Sequence, residues 1–567
     1  MAEVRFGFEQ WRHSFQVRHF NHGLNQPYPP LSAVAGEVST SGDNRVDPLV
    51  ELGWPKSAVL NLEEYTVDRA EKVHAVPVDA FSGTHSLVRG SPKVNVVVHK
   101  PGWIRLDFGV ERAAWVELQT EGLSDASTIY ASVGESDSPA PRPLPQRFTS
   151  FQPAGTYRLE VNDELYEGVR FVWLCVGAPC SAQLGSRQPP AASHPQHQPF
   201  SIVGLRLVAQ AHPTNYTGVY RPSDQVLERL WYTGAYGVRL NMLGSRFGSV
   251  LYERGDRYAF QGDGHVTLAV ATAAFASPAT LELILSELLS TDSSKCAQYG
   301  CKGPPAGPMI LGEAYGAYPL HWVNSLCDFF WASGDRAGFL RNAEGAAAIL
   351  DEQSRALEGA VAGTPWSWLR PPKIGFIGWD DRLGQGGDRL GVGDTLEGRI
   401  IWQALLLRAT NEFARCLALV GDARAGAHAA RARWMRKQLR SRSAGDWIHG
   451  GGRGGDDASS RRRHAHASGQ AVPSGRWHSH FGMHAIAHAA DAGALEEHEV
   501  AELVAPHFGN RATVCSFSPF NTYFLLRGLA AMGEVELGLD VAKHCWEPMT
   551  RVCCGCFCEC CPVSGCS

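Results

Sequence analysis

Residues 329 to 340 read FFWASGDRAGFL, an apolar helical run that stops at Gly334 and resumes as a second helical pattern within a few residues. The same joint recurs as LALVGDARAGA (417–427), ADAGALEEHEV (490–500) and LAAMGEVELGL (529–539), with Gly421, Gly493 and Gly533 in the place of Gly334. Glycine accepts the left-handed conformation that ends a helix, so each joint predicts an antiparallel helical hairpin. Such a hairpin cannot bury its apolar face alone, and repeated copies must stack into a solenoid or close into a ring. Six hairpins would make a closed (α/α)6 barrel.

Helical periodicity gives eleven candidates, near 223–242, 264–276, 280–291, 317–333, 337–358, 395–420, 422–440, 477–492, 496–507, 518–532 and 534–549, one short of that ring. In the first, Ser223 is placed to cap a run whose Val226, Leu227, Leu230 and Trp231 fall at helical spacing. Upstream the texture changes. KVNVVVHKPGWIRLDFG (93–109), AAWVELQTEG (113–122), STIYASVG (127–134), GTYRLEV (155–161) and GVRFVWLCVG (168–177) are alternating or β-branched runs bounded by Gly and Pro, as strands are. The expected fold class is therefore multidomain β + α. A weakly patterned segment (1–54) precedes a β-sandwich (55–218), an (α/α)6 barrel (219–549) with its last helix missing or replaced, and a Cys-rich tail (550–567). SRQPPAASHPQHQP (186–199) reads as a surface excursion and HGGGRGGDDASSRRRHAHASGQ (449–470) as a disordered insertion. The second neither follows a strand nor ends in Lys-Ser/Thr, so it is not a phosphate loop.

The 567 residues carry a formal net charge of -5, with 44% hydrophobic positions, and no basic excess that would attract nucleic acid. No apolar run is long enough to cross a membrane, and the N-terminal stretch MAEVRFGFEQWRHSFQVRHF lacks the apolar segment of a secretory signal. Neither nucleic acid nor membrane is an expected partner, and the default compartment is cytoplasmic. Of 15 cysteines, seven fall in VCCGCFCECCPVSGC (552–566), and the other eight are scattered as reduced core cysteines would be.

Residues 251–265, LYERGDRYAFQGDGH, gather Glu253, Asp256 and Asp263 among two arginines and three aromatics in a chain charged at only 19% of positions. Arg254-Gly255-Asp256 also matches an adhesion tripeptide, a triplet common by chance. The order Arg254, Gly255, Asp256, Arg257, Tyr258, Ala259, Phe260, Gln261, Gly262, Asp263 resembles the signature of the α-L-rhamnosidases of glycoside hydrolase family 78 and related six-hairpin glycosidases: Arg-Asp-(Glu)-Arg, two residues, Trp, one residue, Gly-Asp. YTGVYRPSDQVLERLWYTGAYGVRL, GWIRLDFGVERAAWVEL, GVRFVWLCV, YPLHWVNSLCDFFWASGD, FIGWDD and SPFNTYFLLRGLAAMGEVELGLDVAKHCWEPM fall in that family's order, so the resemblance covers roughly residues 85 to 549.

The resemblance implies a carbohydrate substrate, no cofactor, and inverting hydrolysis by one carboxylic acid and one carboxylate. Asp256 corresponds to the general acid. Arg254 and Arg257 favour its ionised form, so burial against residues such as Tyr258 and Phe260 must raise its pKa. Read from the residues alone, Asp256 is an exposed turn acid paired with an arginine. Arg257, Asp263, Trp322 and Trp379 are the implied substrate-binding residues. Asp263 could equally cap the following helix, and Trp322 could equally be core, whereas Trp379, in the loop GFIGWDDRLGQGG (375–387), reads as a ligand contact.

His480, His484 and His488 share a helical face but have no acid in a metalloprotease arrangement, so they read as packing residues and no metal is expected. After KHCWEPM the family continues to a Trp-Glu pair that supplies the general base. This chain offers TRVCCGCFCECCPVSGCS, whose one acid is Glu559, while Glu547 comes too early. Two other classes stay open: a catalytically silent carbohydrate-binding relative, and another (α/α) toroid enzyme such as a polysaccharide lyase, which would need a Tyr, His or Lys base.

Overall fold

A computed structural model of the protein describes residues 46–58, 65–123, 129–135, 137, 147–151, 156–160, 167–178, 180, 198–243, 246–247, 261–275, 317–362, 377–378, 385–386, 389–390, 396–443 and 482–550. The described residues fall into two compact units, one built on a sheet (46–247 with 548–550) and one on helices (261–547). The fold is thus a multidomain combination of β-sheet and many helices.

The sheet has ten antiparallel strands: β1 (Tyr65–Asp68), β2 (Lys72–Val76), β3 (Phe81–Ser82), β4 (Val96–Val98), β5 (Gly102–Glu121), β6 (Ile129–Gly134), β7 (Arg147–Phe151), β8 (Thr156–Glu160), β9 (Glu167–Val176) and β10 (Phe200–Gln210). The main path runs β3-β4-β10-β5-β8-β7, with β1 on β10, β2 and β9 on β5, and β6 on β9. Strand β5 joins what the sequence showed as two runs into one of 20 residues. It does so by bending: Gly109 takes φ +84, its N–H donates to Asp107 Oδ1 at 2.8 Å, and the register with β9 shifts between Asp107 and Arg112. A glycine bulge lets one strand follow two directions of the sheet. Before it, β5 pairs with β2; after it, with β10 and β8.

Alternation along β5 feeds two cores. Ala114, Val116 and Leu118 join Ile104, Leu106, Val172, Leu174 and Leu207 on one face. Ala113 and Trp115, with Val208 of β10, face the other way onto Leu49, Trp54, Tyr232, Tyr236 and Leu240. The last three belong to helix α1 (Gln225–Leu240), whose cap is Asp224, accepting from Val226 N at 2.9 Å, rather than the expected Ser223. Arg112 is buried beneath this helix, donating to Tyr236 Oη at 2.8 Å and paired with Asp68 at 3.2 Å. α1 therefore packs with the sheet, whereas the sequence reading assigned residues from 219 onward to the helical domain. Its aromatic face covers the back of β5 and β10, which periodicity within one helix cannot reveal.

The helical unit contains α2 (Gln261–Ala274), α3 (Tyr318–Ser333), α4 (Arg336–Ala362), α5 (Leu396–Leu419), α6 (Ala425–Ser443), α7 (Met483–Asp491), α8 (Glu497–Phe508), the short α9 (Arg511–Val514), α10 (Pro519–Ala531) and α11 (Val535–Trp546). With α1, ten of the eleven expected helices are present, and the candidate at 280–291 lies outside the described residues. The four joints behave as their glycines require: Gly334, Gly421, Gly493 and Gly533 have φ of 67, 74, 68 and 81. Helix neighbours run α2–α3–α5–α7–α10, and α10 touches α2 again. Helices α4, α6, α8 and α11 each pack on the helix that precedes them across a glycine joint.

Four of the eight scattered cysteines depart from the reduced state expected for them. Cys175 pairs with Cys180, and Cys515 with Cys545, while Cys327 and Cys416 are buried and free. Contact between the ends of β9 and a following turn, and between α9 and α11, creates the two pairs.

The backbone of α10 comes close to that of α7 at Gly528, where a Cβ would lie 2.4 Å from Ala487 Cα. Gly528→Ala is expected to push these helices apart and cost about 1–3 kcal/mol, against the gain that alanine normally gives within a helix. Thermal unfolding checks it: an unchanged or raised melting temperature would contradict this packing.

Candidate functional site

Contacts link the initial turns of α2 with α3, of α3 with α10, and of α5 with α7. Gly262 at the start of α2 lies against the Tyr318 ring of α3, where a Cβ would come within 2.7 Å. Tyr318 Oη donates to Asp263 Oδ2 at 3.5 Å. Glu397, in the first turn of α5, accepts from the backbone N–H groups of His484 (3.0 Å) and Ala485 (3.3 Å), a carboxylate set on the positive end of α7. The Phe520 ring of α10 stands edge-on to His321 of α3 at 6.1 Å. Gly378 leaves room for the Asn521 amide, whose Oδ1 a Cβ at 378 would strike.

Inward of these turns lies a ladder of charges contributed by four different helices. Arg408 donates through Nη2 to Asp328 at 3.1 Å and pairs through Nε with Asp491 at 3.1 Å. Asp491 also binds Arg527 at 3.0 Å, and Arg527 reaches Tyr523 Oη at 3.3 Å. Burial alone would raise the Asp328 carboxyl, but Arg408 and the His265 hydrogen bond hold it well below the usual carboxylate range. Burial is likewise overcome at Asp491 by Arg408 and Arg527. Removing the central cation by Arg408→Leu leaves two carboxylates together. A loss of about 3 kcal/mol is expected, at the low end for a broken buried pair because a quarter of the Asp328 side chain is exposed.

His265 Nε2 is 3.0 Å from Asp328 Oδ2, and its Nδ1 is 3.1 Å from His321 Nδ1. Phe524 sits among three imidazoles, 5.9 Å from His265, 5.4 Å from His321 and stacked on His488 at 4.8 Å. Burial lowers all three imidazoles: His265 despite its Asp328 hydrogen bond, His321 well below the usual range with His265 and His488 adding to it, and His488 to about 3 with His484 adding to it. Among the described residues no group of three or more His, Cys, Asp or Glu could hold a metal ion. His484 packs edge-on to Phe517 at 4.3 Å, so both described members of the His triplet are buried packing residues.

Asp256, Arg257 and Trp379 lie outside the described residues. Asp263 is the third residue of α2, inside its first turn, with its backbone carbonyl accepting from Thr267 Oγ1 at 2.8 Å. Trp322 is 1% exposed and among the largest buried side chains, with an indole Nε1 that has no hydrogen-bond partner among the described residues. The ladder and the histidine chain were not singled out in the sequence. Their signal was available: Asp328 in NSLCDFFW, Arg408 in ALLLRAT and Arg527 in FLLRGL are lone charges within apolar helical runs. Periodicity marks each as odd but does not say which carboxylate meets which guanidinium.

The neutral imidazoles carry a pH dependence of stability. Each has a folded pKa below its unfolded value near 6.5, so the unfolded chain binds more protons as pH falls below that value. Their contribution is complete above about pH 6.5 and is lost progressively as pH falls toward the folded pKa values; the paired aspartates lose theirs only below about pH 4. His488→Gln is expected to reduce proton uptake on unfolding at pH 5 by about one. Calorimetry in buffers of different ionisation enthalpy measures it, and an unchanged uptake would exclude a neutral buried His488.

No protein-family model matches the chain. No curated protein matches it. Among solved structures, a rhamnosidase from Klebsiella oxytoca with rhamnose bound superposes with a TM-score of 0.53 at 13% identity, covering 84% of this chain and 85% of that one. The family 78 rhamnosidase of Bacillus sp. GL1 gives a TM-score of 0.52 at 16% identity over 81% of this chain, which spans 43% of the Bacillus protein. The suspected likeness to the α-L-rhamnosidases of glycoside hydrolase family 78 is therefore present in three dimensions, and this chain has their fold.

Proposed function

We propose that the protein is a glycoside hydrolase of α-L-rhamnosidase type, which removes a terminal sugar with inversion. In this reading the sheet is a β-sandwich and the helical unit an (α/α)6 barrel, with α2, α3, α5, α7 and α10 as its inner helices. One observation carries it. The segment from Arg254 to Asp263, which has the family 78 spacing, runs into the first turn of α2, which meets the first turn of α3. The fold likeness to a rhamnosidase holding rhamnose supports it.

Asp256, five residues before α2, is the general acid that protonates the leaving glycosidic oxygen, while a carboxylate on the opposite face activates water roughly 6.5–9.5 Å away. Arg257, Trp322 and Trp379 hold the sugar with Asp263, whose carboxylate takes hydroxyl hydrogen bonds alongside Tyr318. A carbohydrate-binding protein without turnover is the second reading, favoured by the sequence after Thr550, in which Glu559 is the one acid and no Trp-Glu pair occurs.

Aryl α-L-rhamnosides with leaving groups of graded acidity test the assignment. Asp256→Asn is expected to slow rhamnose release about 10²–10⁴-fold for a basic leaving group and much less for an acidic phenol, which needs little protonation in the transition state. Equal losses across the series would remove Asp256 from the acid role. Release by neither protein, with rhamnose still bound, would favour the second reading.

A further inference from the structure

Residues 552–566, VCCGCFCECCPVSGC, have no part in the proposed hydrolysis. They hold six cysteines from Cys553 to Cys561 and a seventh at Cys566. They lie outside the described residues, so covalent order alone sets the reach of their thiols. That order is sufficient. From Cys553 to Cys561 each cysteine follows the last by one or two positions, and two positions of fully extended chain span at most about 7 Å. The tail also starts from a fixed point, since Thr550 is buried and its carbonyl accepts from Trp54 Nε1 at 3.2 Å.

Disulfides do not absorb these thiols. Their number is odd, which leaves one over when they pair among themselves. Chain neighbours have Cα atoms about 3.8 Å apart, short of the roughly 4.4–6.8 Å that a disulfide bridges, so Cys553 does not pair with Cys554 nor Cys560 with Cys561. The two bridges formed elsewhere join cysteines 5 and 30 positions apart, with Cα atoms 5.3 and 5.0 Å from each other. Close spacing instead favours several thiols on one centre. Soft cations select thiolate ligands, and a closed zinc site takes four of them. Arg551 and Glu559 are the charged side chains from 551 to 567, so thiolates formed there have one arginine to balance them. A divalent cation supplies the missing positive charge.

We infer that the cysteines of residues 553–566 form a thiolate site for a soft, closed-shell metal ion of the zinc(II) kind. Each ligating thiol exchanges its S–H bond for a sulfur–metal bond, so one ion held by four thiols displaces about four protons near pH 7, where a free thiol is mostly protonated. No electrons are transferred. No preformed cradle is required either, because sites of this kind assemble on the metal. Oxygen-seeking cations such as calcium are excluded by the donor set, in which sulfur outnumbers carboxylate seven to one. The site is separate from the sugar chemistry and stands or falls independently of the hydrolase reading.

Cadmium(II) is the probe, because its thiolate complexes absorb in the ultraviolet by sulfur-to-metal charge transfer. Added to the full chain, reduced with a phosphine and kept free of oxygen, it should raise that band in proportion up to at least one ion per chain. Each ion should release about four protons at pH 7, and binding should weaken steeply as pH falls. The variant C553S/C554S/C556S/C558S/C560S/C561S/C566S should show neither the band nor the proton release. A second readout uses the unaltered protein alone: in the zinc-loaded chain, thiols of the peptide 552–567, which trypsin releases after Arg551, should resist alkylation until a chelator removes the metal. Equal bands in both proteins would place the metal on other cysteines and overturn the inference. No band in the wild type, or alkylation of the tail that zinc does not slow, would overturn it as well, while release of rhamnose from aryl rhamnosides judges the hydrolase reading separately.

Discussion

Arg408 is held between the carboxylates of Asp328 and Asp491, and much of the helical unit depends on that arrangement. Its guanidinium comes from α5, while the two acids come from α3 and α7, so one side chain ties three consecutive helices that no hydrogen-bonded backbone connects. Arg527 on Asp491 adds α10, and His265 on Asp328 adds α2. Every helix in the cycle of neighbours thus contributes to one network. Apolar packing of Ala-rich helices such as α7 tolerates sliding, because small side chains present a shallow surface. Paired charges that would be left uncompensated by a shift of one turn oppose it, which is the role in registry best supported for buried ions.

The same network reaches toward the opening turns of the helices. An ionised Asp328 orients His265, and His265 in turn meets His321, whose ring packs beside Tyr318 and Phe520. At the opening turns, Glu397 neutralises the first turn of α7 and Asp263 takes the hydroxyl of Tyr318, so these two acids are engaged with named partners. The sheet unit solves a different problem. Strand β5 buries side chains on both faces, and α1 covers the face that a lone sheet would expose to water.

How much of this was readable before folding differs between the parts. Helix limits, the four glycine joints and the runs around β5, β6, β8 and β9 followed from periodicity and turn chemistry, because those signals act over a few residues. Strand β10, FSIVGLRLVAQ, was not separated out, since its glycine and arginine interrupt the alternation. The cysteines were misread for a related reason: pairing of Cys515 with Cys545 spans 30 residues and depends on how α9 meets α11. In the candidate site, Asp263 and Trp322 were implied by the family resemblance. The histidine chain was not, because a buried imidazole and an exposed one look alike in a sequence.

By itself the sequence determined that a β part precedes paired helices and where each helix stops. These are local properties, set by backbone preferences and by the alternation of apolar with polar residues. Only the tertiary structure decided that α1 belongs with the sheet, that Arg408 lies between two aspartates, and that His265 stands between Asp328 and His321. Each of those depends on side chains far apart in the chain reaching within about 3–6 Å of one another, and the energy of such a meeting is a function of distance and burial, quantities that a linear order of residues does not contain.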